Sequence, residues 1–136
     1  STEAAWASWN SALTQSQRIE DEITGKMTRW DHADPRLMRE VADLRERQAT
    51  FIEKTSAPTG GADFRSRWFK LYKQYAEWSR LYAGALERSP GVTAWVFGQT
   101  EVSRNVNGLE DGLRADFASL LTDYGAWVER QGRPAR

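Results

Sequence analysis

The sequence predicts an all-α protein, an up-down-up-down four-helix bundle formed by one domain over residues 1–136. Three observations carry that expectation. Apolar residues recur at three- and four-residue spacing along most of the chain, no stretch alternates with the period of two that strands need, and cap-then-proline signals cut the chain into helix-length pieces.

The clearest periodic stretch is residues 64–86, FRSRWFKLYKQYAEWSRLYAGAL. Phe64, Trp68, Leu71, Tyr75, Trp78, Tyr82 and Ala85 fall on one seam, and Phe69, Tyr72 and Ala76 widen it, so this helix is expected to touch more than one neighbour. Ser1 and Thr2 can cap a first helix over about residues 3–30, with Trp6, Trp9, Leu13, Ile23, Met27 and Trp30 on its seam. Two positions of that seam are polar, Ser16 and Glu20, and Ile19 covers part of the gap from the side.

Asp34 and Pro35 read as N-cap and first residue of a second helix over about 35–54. Leu37, Val41, Leu44 and Phe51 form its seam, flanked by Met38, Ala42, Ala49 and Ile52. Residues 55–62, TSAPTGGA, have the composition of a flexible loop and are the expected site of disorder or proteolysis. Asp63 is expected to cap the third helix, over about 63–88.

Ser89 and Pro90 repeat the start signal for a fourth helix over about 90–131, with Trp95, Val102, Val106, Leu109, Leu113, Leu120, Tyr124 and Trp127 on its seam. At 1.5 Å per residue it would reach about 60 Å against about 37 Å for the third helix, so one end would overhang. Asn105, Asn107, Gly108 and Gly112 offer a place to kink or break it, while the unshifted heptad phase favours continuity. The chain after Gln131 reads as a C-cap and a frayed end.

Composition narrows function by exclusion. Nineteen basic and nineteen acidic residues leave a net charge of +0, so no global field draws the chain to nucleic acid. The absence of cysteine removes disulfides, thiolate metal sites and thiol catalysis, and fits either side of a bacterial inner membrane. No apolar run approaches the roughly 20 residues of a membrane span and no signal-peptide layout opens the chain, which reads as soluble and cytoplasmic.

No motif names a chemistry. His32, the one histidine, sits between Asp31 and Asp34 in a turn, where capping explains the acids better than metal binding. There is no phosphate-binding glycine loop, nucleophile elbow or Glu-x-x-His pair, so neither cofactor nor metal is expected. Glu20 on an apolar seam is expected to pair with an Arg of a neighbouring helix or to be solvated, ahead of service as a general base.

Residues 64–76 contain no acid and interleave Arg65, Arg67, Lys70 and Lys73 with aromatics, a pattern read as core rings with cations reaching outward. Seven Trp residues exceed what one small bundle needs. The expectation is therefore a non-enzymatic module that binds a protein or itself, with Trp6, Trp9, Phe69, Tyr72 and Trp127 as anchors and Arg65 and Arg67 at the rim. Nucleic acid is disfavoured, and contact with a membrane surface stays open.

The alternative is a ligand-sensing bundle, similar in size and helix order to the extracytoplasmic domains of bacterial chemoreceptors and sensor kinases. That likeness is one of architecture alone, since no diagnostic residue matches. It implies an extracytoplasmic location and a ligand between helices near Trp68, Tyr75, Trp78 and Trp95, with Arg80 or Arg104 meeting an acidic group.

Overall fold

A computed structural model describes residues 1–29, 34–89 and 92–133. The expectations for Trp30, Asp31, His32, Pro90 and residues 134–136 lie outside the described residues. Among the described residues there are five helices and no strand: α1 (Thr2–Arg29), α2 (Pro35–Glu53), α3 (Ala62–Glu87), α4 (Ala94–Gly98) and α5 (Glu101–Arg130).

The helix starts follow local hydrogen-bonding chemistry. Ser1 Oγ accepts from the amide of Ala4 at 3.1 Å, and the Asp34 carboxylate accepts from the amide of Arg36 at 2.9 Å with Pro35 at the first helical position. The expected cap of α3 is corrected. Gly61, not Asp63, occupies the cap position without a side-chain bond, and Asp63 lies inside the first turn, where its charge faces the positive end of the helix.

The expected long fourth helix is two helices, and the break falls at Gln99 and Thr100, upstream of the Asn and Gly positions that sequence suggested. Thr93 and Thr100 each accept from the amide three residues on, at 3.2 and 3.1 Å, so each starts a helix of its own. Restarting at Thr100 changes which face turns inward: Phe97 is buried, whereas Trp95, Val102 and Leu109 of the predicted seam are exposed.

The loop at residues 55–62 is also corrected. Pro58 and Gly61 are buried, and the Trp127 indole packs on Gly60 and Gly61. Gly60 has φ +86°, and a Cβ on Gly61 would stand 3.0 Å from the Trp127 ring, so the glycines serve packing as well as turning. Arg65 closes the other side, donating from Nε to the carbonyls of Thr55 at 2.8 Å and Ile52 at 3.2 Å at the C-terminus of α2.

α2 and α3 share the most extensive contact, α3 also packs along α5, and α1 along α2. Ala42 and Ala49 on α2 and Ala76 and Ala83 on α3 are fully enclosed, small residues that let helices approach. One core, at the end of the molecule where α1 begins, joins Trp6, Trp9, Trp68, Tyr72, Leu120, Tyr124 and Trp127 with Ile52. A second holds Met38, Trp78, Tyr82, Leu86, Phe97 and Val106, and a smaller third holds Ile19, Ile23, Val41 and Leu44.

A candidate ligand site in the cleft between α1 and α5

α1 and α5 meet through large side chains at one end and part further along. At the closed end Trp6 stacks on Trp127 with centroids 5.3 Å apart, and the Trp9 indole donates to the Tyr124 hydroxyl at 2.8 Å. Arg133 lies 4.4 Å over the Trp6 ring and pairs with Glu3, so the chain end covers the rings near its start. Beyond the rings a cavity of about 730 Å³ opens between α1, α2, α3 and α5.

The cavity's polar wall is assembled from three helices. Arg45 on α2, only 8% exposed, is the one charged side chain buried among the described residues. Its Nη1 donates to Glu20 of α1 and, at 3.1 Å, to Gln48. Gln48 in turn donates to the Ser16 carbonyl at 2.9 Å, tying α2 to α1 a second time. The Arg45 guanidinium lies 4.4 Å over the ring of Tyr75 on α3, and its Nε is buried without a hydrogen-bond partner among the described residues.

Tyr75 is the centre of this arrangement. Burial pushes its phenol up from the ordinary value, and Arg45, Glu20, Glu110 and Arg114 all act on it electrostatically. It therefore stays a neutral hydroxyl at physiological pH. Arg114 and Glu110 form an ion pair one turn apart on α5 at the opposite rim, with Arg114 70% exposed. The apolar wall is Ile23, Met27, Met38, Trp78, Tyr82 and Phe117. The Trp78 indole is held by donation to the Val106 carbonyl at 2.7 Å.

Of the pocket residues expected from sequence, the structure brings Tyr75 and Trp78 together and places Trp68 in a second chamber beside the first. The other three are corrected. Trp95 is 74% exposed on α4, Arg80 pairs with Glu46 at 2.5 Å on the outer face of α3, and Arg104 donates to the Gln99 carbonyl at 2.8 Å.

The residues expected at a partner surface are also redistributed. Trp6, Trp9, Tyr72 and Trp127 face inward at 1–8% exposure, because the rings of α1, α3 and α5 cover one another. Phe69 is half-buried against the same core. Arg65 caps α2 and Arg67 pairs with Asp123 at 3.0 Å. Lys73 and Arg80 both reach Glu46, whose carboxyl burial would raise but which these two cations hold below its ordinary range. The basic and aromatic interleaving of residues 64–76 is thus rings packed on the core, with Arg65, Arg67 and Lys73 bonded to neighbouring helices and Lys70 exposed.

Sequence reading missed Arg45, Glu110 and Arg114. Arg45 had a signal: it completes the three-four repeat Met38, Ala42, Arg45, Ala49, Ile52, a charge on an apolar stripe facing another such charge, Glu20. Glu110 and Arg114 look like any surface pair until α1 lies opposite them.

Among the described residues no group of three or more His, Cys, Asp or Glu side chains is placed to hold a metal ion, and no helix is long and apolar enough to cross a membrane. Against this geometry, no family model, curated protein or solved structure matches the chain.

Proposed function

We propose that this is a non-enzymatic ligand-binding helical module whose site is the cleft between α1 and α5. The long helices α1, α2, α3 and α5 would then form an up-down-up-down bundle, the order their short connections favour. The observation that carries the reading is the cavity of about 730 Å³ lined from four helices around the buried Arg45 and the half-buried Tyr75. Its size and its mostly apolar wall with a few fixed polar groups are what small-molecule sites have. Arg45 and Glu20 are already bonded to each other, so this partly buried pair suits holding and orienting a ligand better than proton transfer. An extracytoplasmic receptor domain is one setting for such a module.

The test uses Nile red fluorescence and thermal unfolding. Ala118 is an exposed residue on the cavity wall, so Ala118→Trp fills the space from its rim without disturbing the core. Nile red is expected to bind the wild type with an emission shift to the blue, and Ala118→Trp to weaken binding at least tenfold. A bound ligand at about 100 times its Kd adds roughly 2.7 kcal/mol, raising Tm by several degrees. Binding that Ala118→Trp leaves unchanged would overturn the assignment of the site, and absence of binding the reading itself.

A second reading, a protein-interaction or assembly module, is favoured by a different observation. Leu81, Val92, Trp95, Val96, Val102 and Leu109 are between 37% and 74% exposed, most of them on α4 and the start of α5. On this reading Trp95 replaces Trp6, Trp9 and Trp127 as the anchor.

A further inference from the structure

Beside the cavity described above lies a second chamber of about 530 Å³, lined by Leu13, Trp68, Tyr72 and Tyr124. Phe117 and Leu121 line both chambers. The two are therefore neighbouring compartments of one trough, sharing a wall of the half-buried Phe117 and the exposed Leu121 on α5. On α5 the lining runs from Asn107 to Gly125, about 27 Å at 1.5 Å per residue.

We infer that the trough takes an elongated, uncharged, single-chain lipid, a long-chain alcohol or its chemical equivalent, lying across both chambers past Phe117. This rests on the ligand-binding reading and adds the shape and charge of the ligand.

Shape follows from the layout of the lining. The trough is about 27 Å long on α5 and Phe117 stands in the wall of both chambers, so an occupant of both must be long and able to bend past that ring. A single flexible chain can pass one aromatic ring that turns aside. Met27 and Met38 at one end and Trp68, Tyr72 and Tyr124 at the other offer apolar surface that adapts to such a chain.

Charge is decided by balance. The first chamber carries Glu20 and Glu110 against Arg45 and Arg114, and the second Asp21 against Arg18. A ligand anion would be buried beside Glu20 and Glu110, and a cation beside Arg45 and Arg114, unless an existing ion pair were broken to receive it. A neutral hydroxyl or carbonyl needs neither. It can bond with the Tyr75 phenol, which stands among the four charges in the wall of the first chamber.

The experiment displaces Nile red from the full chain with 1-tetradecanol, tetradecanoate and tetradecylamine at pH 7.5, keeping the chain constant while head charge varies. The alcohol is expected to bind at least tenfold tighter than either ion. Two plugging variants test the bridging, with alcohol binding to them read by titration calorimetry because Ala118→Trp itself weakens Nile red. Ala118→Trp fills the first chamber. Gly125→Phe fills the second from a position where an added Cβ meets nothing within 4 Å. Each alone is expected to weaken 1-tetradecanol at least tenfold, while 1-hexanol, short enough for one chamber, is lost in one variant only.

Equal or tighter binding of an ion would overturn the charge assignment, and indifference of 1-tetradecanol to either plug would overturn the bridging. In both cases Nile red binding lost in Ala118→Trp would leave the ligand-binding module standing. Failure of Nile red to bind wild type would overturn both.

Discussion

The two ends of the α1 and α5 pairing differ in how the same kinds of residue are used. At the closed end Trp6, Trp9, Trp68, Tyr124 and Trp127 cover one another, with ring centroids 4.7 to 5.9 Å apart among the contacting pairs. Midway along α1 the residues lining the cleft are Gln17, Glu20, Asp21 and Thr24, too short or too polar to bridge to α5, and the helices are left with a cleft between them. Large rings near the chain start act as spacers that set the helix separation. Where α1 supplies smaller groups the same separation becomes a cavity, and α2 sends in Arg45 to satisfy the carboxylate left there.

That comparison can be broken at either end. Trp127→Ala would remove the ring that packs on Trp6, Phe64 and Gly61, and is expected to cost about 3–5 kcal/mol in chemical denaturation. Arg45→Ala would strip Glu20 and Gln48 of their shared donor and Tyr75 of its stacked cation. An expected loss of about 2–4 kcal/mol, less than for a fully buried pair because Glu20 keeps some solvent, is partly recovered by adding Glu20→Gln. If Glu20→Gln deepens the loss in Arg45→Ala, the pair is not what closes the cavity wall.

Gly61→Ala sharpens the packing side of the comparison. The added methyl would press on both the Trp127 ring and the Pro58 carbonyl, 3.0 and 3.1 Å away, for an expected cost of about 1–2 kcal/mol. A neutral or stabilising result would mean that the loop gives way.

The outer face responds to acid. Lys73 and Arg80 lower the folded-state pKa of Glu46, so its contribution is present above the unfolded carboxylate range and is lost as pH falls through the lowered value. Glu46→Gln is expected to cost at most about 1 kcal/mol at pH 7, since the cluster is largely solvated, and to make stability less dependent on pH in the acid range. An unchanged acid limb would place the sensitivity elsewhere. Trp95→Ser should shift stability by less than about 0.5 kcal/mol, because the side chain is 74% exposed, and lower any concentration-dependent mass seen by sedimentation.

Much of the architecture was legible in local chemistry. Caps at Ser1 and Asp34 and the heptad rings of α3 are properties of residues within a turn or two of each other, so periodicity reveals them directly. The break in the fourth helix was not, because the heptad pattern carried across it and Thr100 looked like an ordinary polar position. The glycine loop misled for a related reason. Its composition describes freedom, while its order comes from Trp127, more than sixty residues away in sequence.

The cleft itself was legible only in halves. Glu20 on α1 stood out as a charge on an apolar seam, and the matching break on α2 at Arg45 was there to be read, but each has meaning only opposite the other.

By itself, then, the chain determines that it is helical, where α1, α2 and α3 run, and which stripes are apolar, because these depend on backbone hydrogen bonds and side-chain spacing inside single helices. Tertiary structure alone decides which rings are spent on the core and which remains outside, as Trp95 does, and that α1 and α5 part around Tyr75. Burial and cavities arise from the distance between helices, a quantity that no single helix encodes.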